Sequence, residues 1–473
     1  MMENTPSKIA PSRPERLGRR GLAASFAMTL AITVAASVGV VALTHTPRAQ
    51  QVVDTAALAS QPTPGNFTGF AFDQCQAPKQ KAMDAWMDRS PYLGVGIYIA
   101  GASRGCRVQT YLNPTWVHAQ LQNGWKLLPI TLGPQASCNP HFPRYTDDFK
   151  ISAVRASNGT YAKARAQGIT QAEQTINVSK RLGIVPGSTM YYDLEAFNES
   201  LSRCRESALS FLSGWTVGLH KGGYLSGVYS SANAAIKALD HARAIHQKGV
   251  TLPDQIWIAD WDGHANTSSS YVSTVGWMPH RRIKQFQGGH NETYGGTMIN
   301  VDRDFVDVGS GTVAPHVTHC GGVSVDLPSY PVFNLTASNP PARILALKCL
   351  LRQQHLFQTG AMNGQYGPYL QQAVQQWKRA HHWRSSNFWY REDWVSLLAA
   401  NQHRVIKFGS GNESVRYVQR ALNAFNPRLR LPITGVFGSQ TRAAVRSYQQ
   451  ALHVNASGVV APWTWYEMAS GRL

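Results

Sequence analysis

Short apolar runs alternate with amphipathic stretches through the middle of the chain, over residues 66–312. Eight of the apolar runs predict β-strands, at residues 67–73, 93–100, 126–132, 189–195, 224–230, 255–260, 282–287 and 299–304. The connecting segments have helical periodicity at residues 79–86, 115–125, 171–182, 201–220 and 232–248. Strands and helices that alternate over about 250 residues predict a (β/α)8 TIM barrel of the α/β class. An open doubly wound sheet would alternate in the same way, but no Gly-x-Gly-x-x-Gly follows the first strand to favour it.

The last third of the chain predicts an all-α tandem of three-helix modules. Residues 313–341 are rich in Pro, Gly, Ser and Thr, which is typical of a linker. The segments that follow repeat at a constant offset, which pairs residues 362–367 with 433–438, Trp377 with Tyr448, and Trp394 with Trp465. We therefore expect two units, at residues 342–402 and 409–473, each built of three helices around a Gly-framed turn.

The N-terminal region has the order of charges that export signals have. Basic residues precede an uncharged run from Gly21 to Leu43, and the pair Arg19 and Arg20 resembles a twin-arginine signal. We expect residues 1–65 to be a signal peptide and leader that is removed after export. The alternative is a retained single-pass anchor, which would then be the only part of the chain in contact with a membrane.

Six cysteines in an exported chain predict disulfides before they predict metal ligands, and no Cys-x-x-Cys is present. The sequence alone leaves many pairings open. If the barrel is correct, the strand order favours sequential pairing, of Cys75 with Cys106, Cys138 with Cys204, and Cys320 with Cys349. No His-Glu-x-x-His or comparable spacing predicts a metal site, and we expect no cofactor.

Acidic side chains recur where the predicted strands end. They are Asp73, Asp193 with Glu195, Asp260 with Asp262, and Asp302 with Asp304. Barrel enzymes carry their chemistry at the C-terminal ends of the strands, and residues two apart on a strand point to the same face. Asp193 and Glu195 would thus form a general acid with a charged neighbour, which suits glycosidic bond cleavage. The alternative is that these carboxylates cap helices or bind a cation.

Several of these segments occur in the order found in family 25 glycoside hydrolases, the peptidoglycan muramidases. They are residues 69–74, 193–195, 228–230, 256–259, 284–287 and 301–304. The region resembles still more closely the glycoside-hydrolase-like domain of exported actinobacterial proteins. The resemblance implies that Glu195 is the acid, that Asp193 assists the acetamido group of the substrate, and that Asp73 and Asp302 orient the sugar.

Substrate contacts are expected around the same strand ends. We assign them to Tyr98, Tyr229, Asp260, Trp261, Gln287 and Asp304. Trp261 lies beyond its strand and between two acids, so it is the aromatic ring that we expect to stack on a sugar. Tyr191 and Trp257 lie inside strand patterns and are expected in the core.

The second repeat closely resembles the three-helix peptidoglycan-binding domain of bacterial wall hydrolases, at residues 434–438 and 441–445. The resemblance implies that the turn and the start of the second helix face the wall peptide. The residues concerned are Thr434, Val436, Phe437, Ser439, Gln440 and Arg442. For Phe437 the alternative is simple packing in the hydrophobic core.

The charge of the chain fits the same partner. There are 45 Lys and Arg residues against 26 Asp and Glu residues, a formal net charge of +19, and most of the excess lies in residues 316–473. No nucleic-acid-binding motif is present, so nucleic acid is not the expected polyanion. Wall polymers carry carboxylates and phosphates that a basic tail attracts over long range.

The combined patterns predict an exported, wall-associated monomer whose barrel cleaves peptidoglycan glycan strands. A first alternative is a catalytically inactive barrel that binds wall glycan for attachment or remodelling. A second is a secreted toxin or lysin that acts on the walls of competitors.

Overall fold

The computed structural model describes residues 61–473, so almost all of the expected signal and leader lies outside the described residues. Among residues 61–473, no helix is both long enough and apolar enough to cross a membrane.

Eight strands close into a barrel, in the sequential order β1 to β8, and this confirms the expected fold class. They are β1 Phe67–Asp73, β2 Gly94–Ala100, β3 Lys126–Thr131, β4 Thr189–Asp193, β5 Leu225–Ser231, β6 Gln255–Ala259, β7 Arg281–Tyr294 and β8 Thr297–Val308. The helices around the barrel are α1 Gln80–Arg89, α2 Pro114–Asn123, α3 Ala162–Leu182, α4 Ser202–Lys221 and α5 Lys237–Ala244, the last preceded by a π-helical turn, Ala232–Ile236.

The last strand departs from the regular alternation of strand and helix. β7 and β8 form a hairpin, so β8 runs antiparallel to both of its neighbours, β7 and β1. Gly295 and Gly296 form the turn, with φ angles of 56° and 71°. Two consecutive positive φ angles are the requirement of a tight hairpin turn, and glycine adopts them without steric cost. The sequence pattern did not show this reversal, because strand periodicity carries no information on strand direction.

Close contact between α3 and α4 depends on two glycines. A β-carbon at Gly168 would lie 2.0 Å from the carbonyl oxygen of Phe211, and one at Gly214 would lie 2.0 Å from the carbonyl oxygen of Arg165. Both distances are far below van der Waals contact, so a side chain at either position would force the helices apart. This close packing holds the long α3 directly against α4.

Three disulfides join Cys75 to Cys106, Cys138 to Cys204, and Cys320 to Cys349, which is the sequential pairing expected from the strand order. The first joins the loop after β1 to the loop after β2, and the second joins the loop after β3 to α4. The loops at the mouth of the barrel are therefore cross-linked at two points.

Six further helices follow, three in each repeat unit. They are α6 Pro341–Gln353, α7 Pro368–Ala380, α8 Arg391–Ala399, α9 Glu413–Phe425, α10 Ser439–Ala451 and α11 Pro462–Ala469. The two units share one continuous hydrophobic core.

Part of the segment expected to be an extended linker is folded into this core. Tyr330 and Leu335 are fully buried. The short strand β9, Phe333–Asn334, pairs with β10, Phe388–Trp389, in the first repeat. The apolar residues between the prolines make these core contacts, and the proline content of the segment does not predict them.

The second repeat and the segment just before it pack against the end of the barrel opposite the mouth, where the strands begin. The Nζ atom of Lys407 donates hydrogen bonds to the carbonyl oxygens of Trp86, Ser90 and Tyr92, at 3.3, 2.9 and 3.0 Å. Trp86 lies near the C-terminus of α1, where a positive charge is favoured by the helix dipole. Burial nevertheless lowers the pKa of Lys407 to about 7.

Candidate active site

Four acids from three strands meet at the mouth of the barrel. Asp73 ends β1, Asp193 ends β4, and Asp302 and Asp304 lie on β8. Because β8 is antiparallel, its register sets Asp302 directly opposite Asp73. The acids of β8 therefore reach the mouth as this strand enters the barrel, rather than at the C-terminal end that the sequence analysis assumed.

Gln285 of β7 holds this group of side chains together. Its Nε2 atom donates a hydrogen bond to Asp73 Oδ2 at 2.8 Å. Its Oε1 atom accepts hydrogen bonds from the Tyr229 hydroxyl at 3.0 Å and from Trp261 Nε1 at 2.9 Å. One buried amide thus orients an acid, a phenol and an indole from three other parts of the barrel mouth.

Asp73, Asp302 and Asp304 all resist ionisation, Asp302 because it is buried and the other two because of burial and neighbouring charge. Burial, followed by the charge of Asp302, raises the pKa of Asp73 well above its ordinary value. Burial, followed by the charge of Asp73, does the same for Asp304, although Trp257 Nε1 donates a hydrogen bond to its Oδ1 atom at 2.9 Å. Burial also raises the pKa of Asp302. The floor of the mouth therefore retains protons that exposed aspartates would lose.

Asp193 is buried beside the more accessible Glu195. The hydroxyl of Tyr98 donates a hydrogen bond to Asp193 Oδ2 at 3.1 Å, while Oδ1 is buried with no hydrogen-bond partner among residues 61–473. Burial, followed by the charge of Glu195, raises the pKa of Asp193 well above its ordinary value. Glu195 lies just beyond β4, and its side chain is 39% exposed. A buried acid and an accessible acid thus stand side by side.

Two residues of the loop between β3 and α3 complete this pair. The buried Gln135 accepts a hydrogen bond from the Glu195 backbone N–H at 2.8 Å and donates one to the carbonyl oxygen of Asp193 at 2.9 Å. The Arg144 guanidinium lies 3.7 Å from Glu195 Oε1. No motif in the sequence marks either residue, because both lie in a long connection and reach the site only through the fold.

An open cleft of about 390 Å³ lies next to Glu195. Tyr229, Trp261, Asp260 and Tyr271 contribute to its walls. Trp261 is 66% exposed, although its indole N–H donates a hydrogen bond to Gln285. The orientation of the ring is therefore fixed, and one of its faces can contact an apolar surface. A pyranose ring offers such a surface, and the carboxylates nearby accept hydrogen bonds from sugar hydroxyls.

Two parts of the chain match known protein families. Residues 84–306 match the model of the Rv2525c-like, glycoside hydrolase-like domain, and residues 411–468 match the putative peptidoglycan binding domain. The barrel is an Rv2525c-like, glycoside hydrolase-like domain. The helical tail contains a peptidoglycan-binding domain in its second repeat. No match is found among curated proteins.

Three solved structures resemble about half of the chain. An uncharacterized protein of B. stearothermophilus is 16% identical, over 50% of this chain and 95% of its own, with a TM-score of 0.32. The Tat-secreted protein Rv2525c of Mycobacterium tuberculosis, crystallised in complex with HEPES, is 13% identical, over 51% and 97%, with a TM-score of 0.33. A family 25 glycosyl hydrolase from Bacillus anthracis is 14% identical, over 52% and 91%, with a TM-score of 0.31.

Not every expected substrate contact of the glycoside hydrolase-like barrel lies in the cleft. Gln287 Oε1 accepts a hydrogen bond from Arg303 at 3.1 Å, and it is Gln285 that contacts the acids. A bulge between Gln285 and Gln287 causes the difference, because it breaks the alternation of faces along β7. Asp304 is fully buried, so it supports the mouth from below.

Asp262, one of the acids noted at the strand ends, holds a loop instead of facing the cleft. Its Oδ2 atom accepts a hydrogen bond at 2.8 Å from Lys284, whose side chain is completely buried. Asp260 lines the cleft and accepts a hydrogen bond from the Ser269 hydroxyl at 2.6 Å. Among residues 61–473, no group of acids, histidines or cysteines is arranged to hold a metal ion.

The six expected wall-peptide residues of the peptidoglycan-binding domain fall into two sets. Thr434, Ser439 and Gln440 are exposed. Phe437 is fully buried in the core, in agreement with the alternative considered for it, and Val436 is half-buried in a bridge with Gly411. The guanidinium of Arg442 lies over the ring of Phe70 in β1, 5.4 Å from its centroid, and so faces the barrel.

Proposed function

We propose that the protein is exported and that its barrel cleaves peptidoglycan glycan strands. The observation that carries this proposal is the pair of acids at the cleft, with Asp193 buried and Glu195 accessible. Glu195 donates its proton to the glycosidic oxygen as the bond to the leaving sugar breaks. The unpartnered Oδ1 of Asp193 accepts a hydrogen bond from the acetamido N–H, which favours attack of the acetamido oxygen on the anomeric carbon. Water then opens the ring formed in this step and returns a proton to Glu195.

The remaining parts of the chain support a role at the wall. The peptidoglycan-binding domain at residues 411–468 would hold the barrel on its polymeric substrate. Three disulfides suit an oxidising, extracytoplasmic compartment. The order of charges in residues 1–65 supplies the export signal.

A second candidate function is binding of wall glycan without cleavage. The position of Arg144 favours it, because an ion pair at 3.7 Å engages Glu195 Oε1, an oxygen that a general acid must present to the glycosidic bond. Cleavage thus requires that Arg144 turn to the substrate when the cleft fills. In a binding protein, the ion pair would simply persist.

Release of reducing ends from insoluble peptidoglycan separates the two functions. We compare the wild type with Glu195→Gln and with Glu173→Gln, an exposed position on α3 that serves as the matched control. Loss of the general acid lowers the rate by about 10²- to 10⁴-fold, whereas the control retains the wild-type rate. Release at background level by all three proteins, with sedimentation on peptidoglycan retained, would reject hydrolysis and leave the binding function.

A further inference from the structure

A second cavity, of about 450 Å³, lies on the other side of the loop that carries Gln135 and Arg144. Ser103 from the loop after β2, Pro134 and Phe149 from the loop after β3, and one face of α3 form its walls. No carboxylate lines it among the described residues. None of the contacts in the acid pair described above uses this space.

Two buried hydrogen-bond donors line this cavity without partners. The side chains of Ser103 and Gln171 belong to residues that are 1% and 5% exposed. Neither Ser103 Oγ nor Gln171 Nε2 has a hydrogen-bond partner within residues 61–473. A buried polar group without a partner costs about 1–3 kcal/mol, so a ligand that carries acceptors would recover this energy. By contrast, the neighbouring Gln167 is satisfied, since it binds the backbone of Ser152 and Lys150.

The rim of the cavity adds a cation and an aromatic ring. Lys163 is exposed and precedes Gln167 and Gln171 by one and two turns on the same face of α3. Phe149, from the loop after β3, is 66% exposed and lines the same cavity. Unpartnered donors, one cation and one apolar wall suit a short peptide with backbone carbonyls and a free carboxylate. They suit a neutral sugar less well, because a neutral sugar carries no charge to pair with Lys163.

The cavity is close enough to the cleft for one branched ligand to occupy both. The guanidinium of Arg144 lies 3.7 Å from Glu195 Oε1 and donates a hydrogen bond to the carbonyl oxygen of Ser103 at 3.2 Å. Since a guanidinium is small and planar, these two oxygens are on the order of 9 Å apart at most. An extended peptide of four residues reaches roughly 13 Å.

We propose that this cavity binds the stem peptide that branches from the wall glycan while the sugar chain lies in the cleft. The proposal rests on the function proposed above, because it presupposes that wall glycan occupies the cleft. Lys163 pairs with a carboxylate of the peptide, and Gln171 and Ser103 donate hydrogen bonds to its carbonyl oxygens. Arg144, which contacts both Glu195 and the backbone of Ser103 in the cavity wall, links occupation of the cavity to the environment of Glu195.

Calorimetric titration of the full chain with two soluble probes tests the proposal. One probe is the wall disaccharide with its stem peptide, and the other is the same disaccharide without the peptide. We expect Lys163→Gln and Gln171→Leu each to weaken binding of the peptide-bearing probe by about tenfold. Binding of the peptide-free probe stays within about twofold of the wild type. Lys180→Gln, an exposed position on the same helix outside the cavity, leaves both affinities unchanged.

Two results would overturn the proposal without touching the proposed function. In the first, the wild type binds the peptide-free probe, but Lys163→Gln binds the peptide-bearing probe as tightly as the wild type does. In the second, Lys163→Gln loses affinity for both probes equally, which shows that Lys163 does not act on the peptide. Because Lys163 is exposed, its replacement keeps the test valid even if Gln171→Leu does not fold. Failure of the wild type to bind either probe or to release reducing ends would reject both proposals.

Discussion

At the scale of single residues, the barrel mouth combines groups that repel one another with groups that hold them in place. Asp73, Asp302 and Asp304 each resist ionisation because they are buried. Gln285 and Trp257 compensate in part by donating hydrogen bonds to Asp73 and Asp304. Such a cluster lowers the free energy of unfolding as its members ionise. Groups with perturbed pKa values of this kind are common at functional sites.

Replacement of Asp304 by Asn should stabilise the protein, and increasingly so as the pH rises. A carboxyl whose pKa is raised in the folded state favours folding at low pH and loses that contribution as the pH rises through its folded pKa. The amide has the same shape and no charge to desolvate. We expect a gain of about 1–2 kcal/mol in the free energy of unfolding at pH 8, and a smaller gain at pH 5. Urea denaturation at the two pH values measures it.

Asp262→Asn is the control for the sign of this effect. Burial opposes ionisation of Asp262, but the hydrogen bond and charge of Lys284 outweigh burial and lower its pKa. Its carboxylate therefore stabilises the fold above pH 4, and the Asn variant should be less stable at pH 8. Equal effects of the two substitutions on stability would contradict the assignment of charge at the mouth.

At the scale of elements, the β7–β8 hairpin determines which acids meet. Its reversal places Asp302 opposite Asp73 and carries Asp304 beneath them. A helix followed by a parallel strand would have presented the other end of this segment to the mouth. The turn of two glycines is thus a local feature with a direct effect on the site.

Gly296→Ala should lower the free energy of unfolding by about 1 kcal/mol. The φ angle of Gly296 is 71°, and the space around it is open, so the cost is backbone strain without a clash. Gly296→Asn should cost less, because asparagine tolerates the left-handed region. Gly105→Ala is the matched control, since a β-carbon there meets only ordinary van der Waals contacts at 3.5 Å and the φ angle lies outside the left-handed region. Equal losses at Gly296 and Gly105, measured by urea denaturation, would rule out strain as the cause.

At the scale of the whole molecule, the tail is joined to the barrel through buried contacts. Lys407 enters the base of the barrel and binds three backbone carbonyls, and Arg442 lies on Phe70. The binding domain and the cleft thus sit at opposite ends of the barrel. A barrel held to the wall through the exposed Thr434, Ser439 and Gln440 would present its mouth away from the point of attachment.

The contribution of Lys407 to the free energy of unfolding should rise with pH between about 7 and 10. The pKa of Lys407 is lowered to about 7 in the folded protein, whereas an unfolded chain has an ordinary lysine pKa of about 10.4. Over that window the unfolded state binds the extra proton, so each pH unit adds up to about 1.4 kcal/mol to the free energy of unfolding. Below pH 7 the contribution of Lys407 is constant.

Comparison of the wild type with Lys407→Met isolates this effect. The advantage of the wild type over the variant should grow between pH 7 and pH 9.5, as measured by the midpoints of urea denaturation. Lys180→Met, at an exposed position, is the control for loss of a lysine. A difference between wild type and Lys407→Met that stays constant with pH would show that Lys407 does not titrate in the interface.

The sequence by itself determined the elements and the repeat of this protein. Alternating apolar runs are local signals, and they were enough to predict eight strands, a closed barrel and three helices in each tail unit. The sequence likewise placed Asp193 at the end of a strand, although β4 ends there and Glu195 lies beyond it. These features depend on residues that are near one another along the chain.

Only the tertiary structure decided the direction of β8, the burial of the linker and the partners of the acids. Gln135, Arg144 and Gln285 reach their partners across 50 residues or more of sequence, and no local pattern marks them. The bulge in β7 breaks the alternation of faces along the strand, so Gln285 and not Gln287 contacts the acids. Contacts of this kind arise from packing of the whole chain, because burial and hydrogen bonding between distant segments are settled only when those segments meet.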